Sequence, residues 1–289
     1  MKRILITGAN SYIGTSFKDW LSQYPDKYSV DTISLRDGQW RERSFKGYDV
    51  ILHTVGIAHV DSNPAPEMES LYYKVNRDLT IETAQKCKRD GVNQFIFLSS
   101  IIVYGDSSSI NQPRVINKNT VPRPANFYGN SKLLAEEGIK VLESDFFKVS
   151  IIRPPMIYGK GSKGNYPKLA KVAKILPVFP NVENQRSMLH IDNLCEFLRL
   201  IINNEERGLF FPQNKEYVKT SEMVKLIAEV HKKEIKLTKR FNPLLGLLGK
   251  KNSVINKVFG NLVYDQTLSI YKDNYRLRDL KESILKTEI

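Results

Sequence analysis

Short hydrophobic runs alternate with longer amphipathic stretches through the first hundred residues. Residues 3–7 are apolar on both faces, the pattern of a parallel strand covered on each side. A helical pattern follows through Phe17, Trp20 and Leu21. Residues 30–35, 49–56 and 94–98 predict three further strands, with one long helix over 67–89 before the last. A fifth strand ends before Arg153. Alternation this regular predicts a doubly wound parallel sheet of the α/β, Rossmann type. The patterning loosens beyond Gly159, where 221–231 reads as an amphipathic helix of a smaller C-terminal α/β domain. The expected division is 1–158 and 159–289, with the stretch near 187–205, including a helix over 192–202, returning to the first domain.

The chain of 289 residues is long enough for this core. It opens Met1-Lys2-Arg3 and enters a short apolar run, too short for a signal-peptide core, and no run approaches a membrane span. Cys87 and Cys195 match no metal or disulfide spacing, so a reducing, cytoplasmic setting is the simplest expectation. The formal net charge of +13 suits anionic substrates as well as nucleic acid. Part of it is concentrated: residues 232–257 hold eight basic residues against the single acid Glu234. Within that region, the leucine-rich stretch 239–251 reads either as a helix packed on the second domain with a solvated basic rim or as a contact with an anionic membrane surface. The packed helix is the expectation.

Three places carry candidate chemistry. The turn Gly8-Ala9-Asn10-Ser11-Tyr12-Ile13-Gly14 joins the first strand to a helix, where bare amides and close backbone approach suit a pyrophosphate. Ser11 stands where a middle glycine is usual. After the second strand, Arg36 and then Asp37 occupy the position that reads the adenosine ribose, and an arginine there favours NADP(H) over NAD(H). In Asn126–Lys132, Tyr128 and Lys132 lie four residues apart and share a helix face. A cation beside a phenol lowers its pKa from ~10 and eases proton exchange. His53, inside an apolar strand, reads as structural.

The chain resembles the extended short-chain dehydrogenase/reductases, the NAD-dependent epimerase/dehydratase family acting on nucleotide sugars. The resemblance rests on motifs in family order: Thr7-Gly8 through Gly14, Ala58-His59-Val60-Asp61, Asn76, Ser99-Ser100 with Val103-Tyr104-Gly105, Tyr128-x-x-x-Lys132, Arg153 through Gly159, and Arg186 through Asp192. It implies that Tyr128 is the acid/base, that Lys132 tunes it and holds the nicotinamide ribose, and that Ser100 hydrogen-bonds the reacting oxygen. It also implies that Asn76 supports Lys132 through bound water, and that Val55, Gly56 and the backbone around Pro155 line the cofactor. Asn165, with Lys168 and Lys171, and Arg186 are then substrate residues, the arginine meeting a diphosphate; Arg276 and Arg278 read as a second contact or a solvated helix face.

Dehydratases of this family carry an Asp-Glu pair after the serine or threonine, whereas this chain has Ile101-Ile102. Hydrocarbon side chains cannot exchange the protons that dehydration requires. The resemblance, closest to capsule-pathway UDP-4-keto-sugar reductases, therefore implies NAD(P)H-dependent reduction at C4 of a UDP-linked, or dTDP-linked, 4-keto-hexose. A UDP-hexose 4-epimerase with tightly held NAD is the alternative, and a non-catalytic NAD(P)-sensing or nucleic-acid-binding relative a distant one. No metal and no nucleic-acid partner is expected, and a homodimer is left open.

Overall fold

The computed structural model describes residues 1–58, 66–110, 112–249 and 253–289. These form two compact units, each built from separated stretches of chain. The first comprises Met1–Gly105, Pro122–Pro154 and Cys195–Pro212, and the second Asp106–Val121, Pro155–Leu194 and Gln213–Ile289.

In the first unit, β1 (Lys2–Thr7) leads through α1 (Tyr12–Leu21) to β2 (Tyr28–Ile33) and β3 (Val50–His53). Then come α2 (Leu79–Arg89), β4 (Gln94–Leu98), α3 (Phe127–Lys140), β5 (Lys148–Ile152) and β6 (Gly208–Phe210). The strands form one sheet in the order β6-β5-β4-β3-β1-β2, every neighbouring pair parallel. Strand order reverses between β1 and its neighbours β2 and β3, and the crevice at such a reversal is where open α/β sheets take ligands. Ile4, Leu5 and Ile6 have no exposed surface, as strands covered on both faces require. On one face Leu5, Ile51, Phe95 and Phe97 pack with Ala84 and Cys87 of α2 and with Ala135 and Ile139 of α3.

Two expectations are corrected. The long helix over 67–89 is three segments: an α-helix Pro66–Tyr72, a π-helical turn Tyr73–Asp78, and α2. The second strand ends at Ile33 rather than residue 35, which leaves Ser34 and Leu35 in the loop with Arg36. The edge strand β6 has only three residues, too few to leave a periodic signal.

His53 is fully buried, with Nδ1 2.8 Å from Thr7 Oγ1 and Nε2 3.1 Å from Thr80 Oγ1. Burial, and secondarily the charge of Lys132, push its pKa down to about 3. The unfolded chain protonates this side chain near ~6.5, so acid favours unfolding: stability is complete above ~6.5 and is lost as pH falls toward the folded value. The maximum slope from one such group is about 1.4 kcal/mol per pH unit. Melting temperature is therefore expected to drop more steeply between about pH 6 and pH 4 in the parent than in His53→Gln. Equal slopes in the two proteins would show that His53 does not couple protonation to folding.

The second unit holds three parallel strand pairs: Met156–Tyr158 with Met188–His190, Val178–Pro180 with Lys236–Thr238, and Val115–Ile116 with Val263–Tyr264. Helices Asn165–Ile175, Thr220–Val230 and Leu280–Glu288 cover a core that includes Tyr158, Phe179, Met223, Ile227 and Ile284.

Candidate active site

A cavity of about 1030 Å³ opens where β1, β2 and β3 end, lined by Gly8–Ser11, Ser34–Gly38 and Thr54–Ile57. Gly8 has φ +92°, and a Cβ there would come within 2.9 Å of Thr54 Oγ1. Ser11, in place of the usual glycine, is the N-cap of α1. Its Oγ accepts from Gly14 N at 3.0 Å and lies 2.6 Å from Thr54 Oγ1. The serine thus fastens the turn to β3 instead of obstructing the cavity. Of the residues expected to hold cofactor, Gly8, Asn10, Ser11, Arg36, Val55 and Gly56 line this space, whereas Tyr12, Ile13, Gly14, Asn76, Tyr128, Lys132 and Pro155 do not. Pro155 is buried.

Arg36 and Asp37 are both exposed on the cavity wall. A second arginine on that wall, Arg41, went unread in the sequence. It pairs through two nitrogens with Glu82 of α2 and stacks 4.8 Å from the Trp40 ring. No local motif announces this pair, because its partners are 41 residues apart.

The reactive side chains lie at the exit of β4 and on the first turns of α3. Asn126 caps α3, its Oδ1 accepting from Gly129 N at 3.0 Å. The backbone of α3 approaches the 3₁₀ turn Ile101–Tyr104 so closely that a Cβ on Gly129 would stand 2.8 Å from the Ile102 carbonyl oxygen. Tyr128 and Ser100 face each other across this contact, near enough for the serine to act on the phenol. Ile101 and Ile102, both half-buried, follow Ser100 in the turn, and Ser100 Oγ accepts from Ile102 N at 3.3 Å.

Burial pushes the Tyr128 hydroxyl up to about 12, and Ser100 only partly opposes it. This corrects the expectation that Lys132 lowers the phenol's pKa. The lysine is engaged elsewhere: Nζ donates to the Leu98 carbonyl at 3.0 Å and lies 4.7 Å from the Phe97 ring. Desolvation brings Lys132 down to about 8, with Glu136 pulling the other way. Tyr128 is thus a neutral phenol, equipped to donate a proton.

Asn76 braces the backbone beside this site. It is fully buried in the π-helical turn, and its amide exchanges bonds with Ile57 N and O at 2.8 and 3.0 Å and donates to Ser131 Oγ at 3.1 Å. Ser131 in turn donates to the Tyr128 carbonyl at 2.8 Å. A Cβ on Gly56 would lie 3.0 Å from Lys132 Nζ and 3.2 Å from Asn76 Oδ1, so this glycine makes room for both. π-turns of this kind often accompany functional sites.

Below Lys132 runs a buried network absent from the sequence reading. Arg153 Nε donates to Glu136 at 3.0 and 3.2 Å, and Arg153 Nη1 donates to the Tyr104 hydroxyl at 2.6 Å. Ser99 Oγ also donates to Glu136. The only sequence trace is that Glu136 falls one helical turn after Lys132.

In the second unit Arg186 Nη1 donates to Ser107 Oγ at 3.2 Å and to the Gly260 carbonyl at 3.3 Å. Burial lowers its pKa to about 10, and among the described residues no carboxylate pairs with it. Asn165 is exposed at the start of its helix, Lys168 is exposed, and Lys171 lines a separate cavity of about 550 Å³. Arg276 and Arg278 precede the last helix rather than forming its face. Arg276 donates to the carbonyls of Gln213 and Ser269, while Arg278 faces Asp192 at 3.4 Å. Of the motif around residues 57–62, positions 59–62 lie outside the described residues, as do Lys250 and Lys251.

A model of the NAD dependent epimerase/dehydratase family matches residues 4–210. The chain belongs to this family. It is 29% identical over 288 residues to a UDP-glucose 4-epimerase from Vibrio cholerae, covering 91% of this chain and 87% of that one. Among solved structures, RMD from Pseudomonas aeruginosa complexed with NADPH has a TM-score of 0.73 at 17% identity, covering 99% and 98% of the two chains. UDP-glucuronic acid 4-epimerase from Bacillus cereus in complex with NAD has a TM-score of 0.71 at 16% identity, covering 99% and 97%. At such identities these two establish the fold, a Rossmann-type unit with a smaller α/β unit. The family match runs from within β1 to the end of β6 and so takes in every strand of the parallel sheet.

Proposed function

We propose that the chain is a nucleotide-sugar oxidoreductase that reduces C4 of a UDP-linked 4-keto-hexose with NAD(P)H. One observation carries this reading: Ser100, which faces Tyr128, is followed by two hydrocarbon side chains, Ile101 and Ile102. The serine and tyrosine suit proton delivery to a single oxygen, and the isoleucines offer no acid or base for removing water from neighbouring carbons.

The cavity suits a dinucleotide. Its volume is ample, and Gly8–Ser11 at the N-terminus of α1 would hold the pyrophosphate, with Arg36 at the adenosine ribose and Val55 and Gly56 deeper in. The nicotinamide, when bound, supplies hydride exchange at one carbon. In this reading Tyr128 donates its proton to the oxygen on C4, and Ser100 hydrogen-bonds that oxygen as charge develops on it. Lys132, its ammonium beside Gly56 of the cavity wall, would hold the nicotinamide ribose. Arg186, desolvated and without a carboxylate partner among the described residues, suits the substrate diphosphate.

The exposed guanidinium of Arg36 supports a 2′-phosphate. Calorimetry is expected to show NADPH binding about tenfold more tightly than NADH, with the gap closing in Arg36→Asp. Equal affinities in the parent would remove Arg36 from that role.

A second reading, 4-epimerisation of a UDP-hexose, draws on the Vibrio cholerae relative. It uses the same serine, tyrosine and lysine, with oxidation preceding reduction from the other face. A panel of UDP- and dTDP-4-keto sugars with each reduced cofactor, alongside UDP-hexoses alone, separates the two. Reduction consumes NAD(P)H stoichiometrically, whereas epimerisation interconverts hexoses with no net cofactor use. Mass spectrometry of either mixture is expected to show no product lighter by one water; such a product at an enzymatic rate would overturn the assignment of chemistry to C4.

A further inference from the structure

We propose that the outward face of helix Asn242–Gly249 docks on an anionic lipid membrane surface. The inference concerns a surface of the second unit and does not depend on the chemistry proposed above. The helix has one satisfied face: Leu245 packs against the unit's core, Gly249 is buried, and Asn242 Nδ2 donates to the Asn181 carbonyl at 2.9 Å. Its other face presents Phe241, Leu244, Leu247 and Leu248, which are 47, 56, 64 and 46% exposed. The spacing of three, four and seven residues puts these side chains on one stripe. Single exposed leucines are ordinary, but four large apolar side chains on two turns form a patch that marks an interaction surface.

Charge selects the occupant. No acid occurs between Glu234 and Asp265, while Lys236, Lys239, Arg240 and Lys257 are all exposed. Among the described residues Glu183 is the acid that pairs with this group: it meets Lys219 at 2.6 Å and reaches Lys239 at 4.0 Å, so it faces two cations at once. On the strand pair that leads into the helix, exposed Val178 lies in register with Lys236, repeating the apolar-beside-basic arrangement. A second copy of the chain would bring like charges together across a two-fold axis, whereas anionic headgroups neutralise them as the leucines enter the acyl boundary. Among the described residues no helix is long and apolar enough to cross a membrane, and this one has eight residues, so the contact lies in the interface plane.

The test is co-sedimentation of the full-length protein with vesicles of phosphatidylcholine alone or with about 30% phosphatidylglycerol. At about 0.1 M salt, binding to the anionic vesicles is expected to exceed binding to neutral ones at least ~10-fold, and to collapse near ~1 M salt. Combining Leu244→Ser, Leu247→Ser and Leu248→Ser is expected to cut binding at least ~10-fold. Lys239→Gln and Arg240→Gln are expected to cut it about fivefold each. Because these side chains are exposed, circular dichroism and the melting temperature should match the parent in every variant. Absence of vesicle binding, or binding indifferent to the triple substitution, overturns the proposal. So does a parent that sediments as a dimer, ignores vesicles, and becomes monomeric when the leucines are replaced, because the face would then join two copies of the chain.

Discussion

Tyr128→Phe is expected to lower turnover at least ~100-fold while leaving substrate affinity nearly unchanged. The substitution removes one oxygen and keeps the ring, whose edge-to-face contact with Tyr72 at 6.0 Å holds α3 against the helix Pro66–Tyr72. What is lost is the proton. Ser100 remains, but a serine hydroxyl that gave its proton to an alkoxide would itself become an alkoxide of similar basicity, so it stabilises the oxygen without completing the reaction. Because burial holds the phenol's pKa at about 12, the tyrosine is protonated across the physiological range, and the reductive direction should show no loss of rate from Tyr128 ionisation below about pH 9. Steady-state kinetics with single-turnover measurement of hydride transfer separates the two parameters. Near-normal turnover in Tyr128→Phe would remove Tyr128 as the proton donor.

Arg153→Met should destabilise the protein by about 3–5 kcal/mol. Arg153 and Glu136 have side chains only 6% exposed, and their forked pairing also carries Tyr104 and Ser99. Removing the arginine leaves a buried carboxylate with only the Ser99 hydroxyl and the more distant Lys132 ammonium to offset its charge. The cost is that of the orphaned charge, not the worth of the pair. For that reason Arg153→Met combined with Glu136→Leu is expected to be more stable than Arg153→Met alone. Urea unfolding of the parent, both single variants and the double variant completes the cycle. If the double variant is the least stable, packing around the pair rather than its charge governs the loss.

Much of the fold was legible because its signals are local. The apolar runs of β1, β3 and β4 and the glycine turn after β1 each state their structure within about ten residues. Tyr128 and Lys132 stood out in the sequence by their helical spacing, and Ser100 was implied by the resemblance to the family. The state of those groups was not. Whether a lysine lowers a nearby phenol depends on where its ammonium points, and Leu98 and Phe97, far from Lys132 in sequence, decide that. The Arg153–Glu136 pair is likewise made by α3 passing the exit of β5, a tertiary contact that no spacing encodes. The outward leucines of Asn242–Gly249 could be counted in the sequence, but not the fact that Leu245 alone turns inward.

The π-helical turn at Tyr73–Asp78 acts as a phase shifter. One extra residue in a single turn rotates everything before it by roughly 100° relative to everything after it. The stretch Leu79–Arg89 can therefore keep its apolar stripe on the sheet while the stretch Pro66–Tyr72 is aimed by a different rule, toward α3. Two demands that conflict on a straight helix, core packing and placement of Tyr72 and Asn76, are decoupled. Shortening the turn by one residue would restore a regular helix and, with it, the conflict: either the core stripe or the neighbours of Tyr128 would have to rotate away.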